Sequence, residues 1–143
     1  MLKGISPILS PELLATLHRM GHGDEIVLAD AHFPGYRVNN KVLRADGHPI
    51  ADLLDAILPL FELDSYVKEP LIMMQAVPGD ILNPAVEADY RTAINKHSTQ
   101  KNIARIERYE FYERAAQAFA VVMSGETRPY GNIILKKGLI PTP

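Results

Sequence analysis

Two apolar runs, Ile26-Val27-Leu28-Ala29 and Leu71 to Val77, the second broken only by Gln75, constrain this chain more than any other feature. Each is bounded by turn formers: Gly21 and Gly23 lie before the first, and Pro78-Gly79 closes the second. Neither alternates with polar residues, so both read as strands covered on two faces rather than one. Such strands need helices on both sides of the sheet, and the sequence between them supplies the helices.

Ser10-Pro11-Glu12 reads as an N-cap, a first helical position and an acid matched to the helix dipole. Leu13, Leu14, Leu17 and Met20 follow at helical spacing to a stop at Gly21. Val42 to Ala45 is a weaker strand. After the turn signal Asp46-Gly47, a helix from near Pro49 carries Ile50, Leu53, Leu54 and Ile57 inward until Pro59 ends it. Asn83-Pro84 opens a third helix with Val86, Tyr90, Ala93 and Ile94 on one face, and Lys96 to Asn102 reads as a solvated loop. Ile103 to Arg108 reads as a strand. Tyr112, Ala115, Ala116, Phe119, Val122 and Met123 mark a fourth helix ending at Gly125, and Asn132 to Lys136 is a last strand. No repeat, low-complexity tract or linker divides the chain. The expected architecture is therefore a single α/β domain over residues 1–143: three α/β/α layers around a largely parallel or mixed sheet.

Composition narrows the chemistry. The chain has 143 residues, no cysteine and a formal net charge of -2. Disulfide and thiolate chemistry are excluded, and there is no basic excess of the kind a phosphate backbone demands, so nucleic acid is not an expected partner. The opening MLKGISPILSPELL is interrupted by two prolines, and the longest apolar run, Ala118 to Met123, is too short to cross a bilayer. A cytoplasmic protein without membrane partners is expected.

The polar residues around the strands carry the functional signal. His22 lies between two glycines, where the backbone can turn sharply and approach a ligand; the bland alternative is a histidine in a helix-capping turn. Asp30 follows the first buried strand, at the edge where open α/β sheets bind ligands, although an aspartate there can equally cap the next turn. His32 is two residues on. His22-x-Asp24 and Asp30-x-His32 offer metal ligands, but neither matches an established zinc spacing, so no metal is expected. No dinucleotide or phosphate-loop motif and no Gly-x-Ser-x-Gly elbow occurs. Arg108 and Tyr130-Gly131-Asn132 are polar groups where strands meet loops; alone, the first is a surface residue and the second a turn. One imidazole, one carboxylate, one guanidinium, one phenol and one amide together suit a polyhydroxylated molecule.

Six blocks then acquire a common meaning. Met20 to Ile26, Asp30 to Pro34, Arg44 to Gly47, Phe61 to Tyr66, Phe111 to Ala115 and Tyr130 to Gly138 together resemble the ribose pyranase and fucose mutarotase family. The resemblance implies a cofactor-free isomerase that interconverts the α and β anomers of a monosaccharide. It assigns His22 as the proton donor, and Asp30, Arg108, Tyr130, Gly131 and Asn132 as sugar contacts. An arginine at 108, where ribose-specific relatives carry histidine, points to the fucose branch, with D-ribose pyranase activity or sugar binding without turnover as alternatives. Gly35-Tyr36-Arg37 and the Lys96 to Lys101 loop depart from the family pattern and leave the preferred sugar open. The chemistry needs little. Opening a cyclic hemiacetal takes a proton from the anomeric hydroxyl and gives one to the ring oxygen, and imidazole is the side chain whose ordinary titration range spans neutral pH. His18, His48 and His97 are expected to be structural or solvated.

Residues 25 to 29, at ~3.3 Å each, hold His22 and Asp30 on the order of 15 Å or more apart. With a parallel sheet, Asp30 and Arg108 would share one edge, and His22, Tyr130 and Asn132 the other. A head-to-tail contact between subunits would join the halves, and such contacts close into rings. The family's rings, commonly decamers, fit that expectation of a homo-oligomer with shared sites.

Overall fold

The structure, a computed structural model, describes every residue from Met1 to Pro143. Ser10 accepts the Leu13 amide at 3.1 Å with Pro11 in the first position, and α1 runs over Pro11–Arg19. The chain continues through β1 (Glu25–Ala29), a short α2 (Gly35–Val38), β2 (Val42–Ala45) and α3 (Ile50–Ile57), which tightens into a 3-10 turn at Leu58–Leu60 around Pro59. Then come β3 (Leu71–Met74), α4 (Pro84–His97, capped by Asn83), β4 (Ile103–Ile106), α5 (Arg108–Gln117), β5 (Ala120–Ser124) and β6 (Ile133–Lys136). No helix is long and apolar enough to cross a membrane.

All six strands form one sheet in the order β2-β5-β1-β6-β3-β4. Every neighbouring pair is parallel except the two that involve β6, which runs antiparallel between β1 and β3. The strand period of two sorts the side chains. Ile26 and Leu28 of β1, with Leu71 and Met73 of β3 and Ile133 and Leu135 of β6, face a core closed by α1, α3 and α4. Val27, Ala29, Ile72, Met74 and Ile134 face a second, smaller core closed by Phe33 and by Phe111 and Ala115 of α5. The three-layer α/β/α architecture with a mixed sheet therefore follows from runs that are apolar without interruption.

Four local expectations are corrected. The fourth helix does not reach Gly125: it starts at Arg108 and ends at Gln117, and Ala120–Ser124 is instead a fully buried strand between β1 and β2. Helical spacing of Phe119, Val122 and Met123 coincided with an apolar run that is buried on both faces, and burial decides the conformation. The strand expected over 103–108 stops at Ile106, because the Glu107 carboxylate accepts the amides of Tyr109 and Glu110 and starts α5 there. The strand expected to reach Val77 ends at Met74, and α4 extends through Lys96 to His97, whose Nε2 lies 2.6 Å from Asp55. Of the two sheet forms expected, the mixed one is found, because β6 is antiparallel. The short Gly125–Asn132 connection leaves no length for the crossover a parallel strand would need, so the chain returns from the edge it has just reached.

The end of β6 fixes the segment before β3. Leu63 bridges Lys137, the Asp64 amide donates to the Lys136 carbonyl at 3.0 Å, and the Gly138 amide donates to the Glu62 carbonyl at 2.8 Å. A Cβ on Gly138 would lie 2.7 Å from the Asp64 Cα and from the Leu63 carbonyl oxygen, both backbone atoms. Gly138→Ala is therefore expected to lower unfolding stability by about 1–3 kcal/mol, the usual cost of overpacking, measured as a fall in the urea midpoint at unchanged slope.

Candidate functional site

The carboxyl ends of β1, β3 and β4 and the amino end of β6 meet on one edge of the sheet, and there the surface is indented by a cleft of about 380 Å3. Its polar wall is Asp30, His32, Asp80, Arg108, Tyr130 and Asn132; Phe33, Met74, Val77 and Tyr112 supply the apolar face. A cleft at the carboxyl edge of a mostly parallel sheet is the usual ligand position of open α/β folds. The expectation that Tyr130 and Asn132 would lie on the edge opposite Asp30 is corrected by the direction of β6: Leu28 pairs with Ile133, so Asn132 arrives beside Asp30. The Asp30 amide donates to Asn132 Oδ1 at 2.7 Å.

Asp30 is 5% exposed. Burial pushes its carboxyl above the usual carboxylate range, although the amide of His32, 3.0 Å from Oδ1, the His32 ring and the Gly131 and Phe33 amides all favour the charged form. Behind it, Ser124 Oγ donates to the Ala29 carbonyl at 2.6 Å, and the Ala31 amide donates to the Glu126 carbonyl at 2.7 Å. The Gly131 carbonyl accepts the buried Tyr90 hydroxyl at 2.7 Å, so Gly131 serves through its backbone and does not line the cleft. Glu126, itself buried, pairs with Arg128 at 2.9 Å. A rigid, fully partnered layer thus supports the loop between β5 and β6.

Arg108 differs from the other arginines of this sheet edge. Arg105 is paired with Glu87 and Arg128 with Glu126 and Asp89, but Arg108 makes no ion pair. Its Nη2 donates to the Tyr109 hydroxyl at 2.8 Å, its guanidinium lies 4.7 Å from that ring centroid, and its buried Nε has no partner. A buried N–H without an acceptor is costly unless a ligand satisfies it. Tyr130 is held in the left-handed region at φ 59°, a strained conformation for a bulky residue. Its hydroxyl donates to Asp80 Oδ2 at 2.7 Å and accepts the Val77 amide at 3.3 Å, which closes the far side of the cleft.

His22 is not in this cleft. It occupies the opposite edge, in the turn between α1 and β1, where Gly23 adopts φ 87° and its amide donates to the Lys137 carbonyl at 2.8 Å. Asp24 Oδ2 accepts the Gly21 amide at 2.7 Å, and the Lys137 ammonium donates to the Leu17 and Met20 carbonyls that end α1. The imidazole stands partly exposed, with Nε2 3.0 Å from Oδ1 of the buried Asp64 and the Tyr66 ring 5.1 Å away. Burial acts to raise the Asp64 pKa, but the Tyr66 amide at 3.0 Å and the His22 ring outweigh it, and the net direction is down. Asp64 was not singled out by the sequence: it is 42 residues from His22, and only the Phe61 to Tyr66 block hinted at it.

Residues 3–140 match the RbsD / FucU transport protein family. The chain belongs to that family. Its fold superposes on the crystal structure of the fucose mutarotase from Streptococcus pneumoniae in complex with L-fucose at a TM-score of 0.93 and 50% identity, covering 98% of this chain and 100% of that one. FucU from Bifidobacterium longum matches at 0.91 and 42% identity over 97% and 100% of the two chains. RbsD of Bacillus subtilis, solved with D-ribose, matches at 0.76 and 23% identity over 99% and 100%, a likeness of fold. Within the RbsD / FucU family, the cleft at the carboxyl edge and the His22 turn at the amino edge are two separate polar clusters of one chain.

The buried Asp30 gives this family member a testable stability signature. A carboxyl whose folded pKa is raised binds its proton more tightly folded than unfolded. It supports the fold most below the unfolded value, and that support is lost as pH rises through the folded value. Asp30→Asn keeps an acceptor for the His32 amide without the charge, so it is expected to raise the thermal midpoint at pH 7 and to coincide with the parent near pH 3. A midpoint that falls at pH 7 would count against the burial term.

Proposed function

We propose that this chain interconverts the α and β anomers of a monosaccharide, with L-fucose as the substrate, by acid-base opening and reclosure of the ring. The observation that carries the reading is the 50% identity, across nearly all of both chains, to a fucose mutarotase solved with L-fucose. The cleft agrees with it: a carboxylate, an unpaired guanidinium, a phenol and an amide converge on a volume suited to one sugar. In this reading Asp30, Arg108, Tyr130 and Asn132 hold the hydroxyls, and Gly131 contributes its backbone between the last two.

His22 is the proton donor in the proposed reaction. With Nε2–H donating to the ionised Asp64, the ring protonated on both nitrogens has its Nδ1 proton left to give to the ring oxygen, and takes it back on reclosure. Electrons and metal are not needed, because C1–O cleavage in a hemiacetal is a proton transfer coupled to carbonyl formation. One positioned acid-base group contributes about 10² to 10⁴ in rate, enough for a reaction that already proceeds in water.

The separation of the two clusters supports a shared site. The six residue-to-residue steps from Asp24 to Asp30, at ~3.3 Å each, span ~20 Å, so one sugar cannot touch both His22 and the cleft of the same chain. A neighbouring subunit therefore supplies the His22–Asp64 pair to each cleft in a ring of subunits, a decamer on the family pattern, and the protein works in the cytoplasm.

Exchange spectroscopy on anomeric protons tests this directly. Exchange of L-fucose is expected to exceed the solution rate without added metal or nucleotide; equal rates with and without protein for L-fucose, D-ribose and L-galactose would leave only a sugar-binding module. His22→Gln should slow exchange by about 10² or more. Mixing His22→Gln with Asp30→Asn subunits should recover part of the lost rate through hybrid sites, and a monomeric protein by light scattering would sink the shared site.

A further inference from the structure

A hemiacetal opens only if something accepts the anomeric proton, and no residue of the cleft has yet been given that role. Tyr130 is a candidate by placement, since it lines the same cleft as Asn132 and Asp30. It is also a phenol that stays protonated: the hydrogen bond to Asp80 raises its pKa, and the Val77 amide offsets only part of that. A neutral phenol is a poor base on its own. What distinguishes Tyr130 is that its proton is already committed, donated to Asp80 Oδ2 at 2.7 Å.

Asp80 is built to hold that proton in place. Its other oxygen accepts the Ile81 amide at 2.9 Å, and its own amide donates to the Val77 carbonyl at 3.0 Å across the Pro78-Gly79 turn. The Val77 amide returns to the phenol oxygen at 3.3 Å, so Val77, Asp80 and Tyr130 form a closed hydrogen-bonded loop. Tyr130 makes these contacts from a strained, left-handed backbone. The Tyr130 hydroxyl and then the Ile81 amide hold the Asp80 carboxyl below the usual carboxylate range, so it is the ionised form that faces the phenol and can accept its proton.

We infer that Asp80 acts through Tyr130 as the terminal proton acceptor of ring opening. The anomeric O–H proton passes to the Tyr130 oxygen while the Tyr130 proton passes to Asp80 Oδ2. The C1–ring-oxygen bond breaks, its electron pair leaves with the ring oxygen and takes a proton from the proposed donor, His22, and the anomeric oxygen becomes the aldehyde oxygen. Reclosure reverses each transfer, so no proton or electron is consumed in a cycle. Asp80 is thus a positioning and relay residue whose part in the proton transfer runs through Tyr130. This rests on the mutarotase reading and on Tyr130 contacting the anomeric oxygen.

Asp80→Asn separates charge from hydrogen bonding, because the amide oxygen can still accept from Tyr130 while its basicity is gone. Turnover and KM for L-fucose are measured by anomeric exchange in the parent, Asp80→Asn, Tyr130→Phe and the double variant. Asp80→Asn is expected to lower kcat about tenfold or more with KM changed less than about threefold. In the Tyr130→Phe background the same change should do nothing further, since the relay is already cut. Asp80→Glu, which keeps the carboxylate, should recover part of the rate and guards against a loss caused by misfolding of the amide variant. Parent-like kcat in Asp80→Asn, or effects that multiply in the double variant, would overturn the relay while leaving the mutarotase reading intact. A parent-like Tyr130→Phe would remove both residues from the reaction, and an inactive parent would remove the reading itself.

Discussion

The antiparallel seating of β6 between β1 and β3 is the constraint on which the rest of this molecule depends. Its amino end carries Asn132 to the Asp30 amide and Tyr130 to the cleft. Its carboxyl end carries Lys137 to the turn that holds His22, and Gly138 to the segment that holds Asp64. A strand of four residues thereby organises polar clusters on both edges of the sheet. Had the connection after β5 been long enough for a parallel crossover, those groups would have exchanged edges, and neither cluster would exist in its present form.

The two buried aspartates show how environment divides similar side chains. At Asp30 burial outweighs three amides and the His32 ring and drives the carboxyl up; at Asp64 the Tyr66 amide and the His22 ring outweigh burial and carry it down. In the proposed reaction this places a carboxyl that tolerates its proton beside the sugar, and a firmly ionised one behind the imidazole. Groups with opposed shifts are how one fold runs acid and base chemistry at a single pH.

Much of this could be read from residues, but unevenly. The buried strands at Ile26 and Leu71, the capped helices at Ser10-Pro11 and Asn83-Pro84, and the layered α/β class were legible because apolar periodicity and caps are local signals. The helix extended to Gly125 was wrong because Phe119, Val122 and Met123 satisfy both periods, and only the neighbouring strands β1 and β2 decide between them. Asp30, Arg108, Tyr130 and Asn132 were visible as polar residues at strand ends, and the structure places them around one cleft. Asp64 and Asp80 were not visible. Each matters through a hydrogen bond to a residue 42 or 50 positions away, and no local pattern encodes such a pairing.

A chain that holds the His22–Asp64 pair on one edge and the cleft on the other contains every group the proposed reaction uses and cannot bring them together alone. The separation is not a defect of the fold. Moving His22 to the carboxyl edge would remove the turn that Lys137 ties to the end of α1, and with it the link between β6, α1 and the Asp64 segment. The proposed head-to-tail association would bring the two edges together between chains without altering either, and a heterologous contact of that kind closes into a ring. In that proposal each His22–Asp64 pair meets a cleft only on assembly, which makes the subunit interface part of the proposed chemistry.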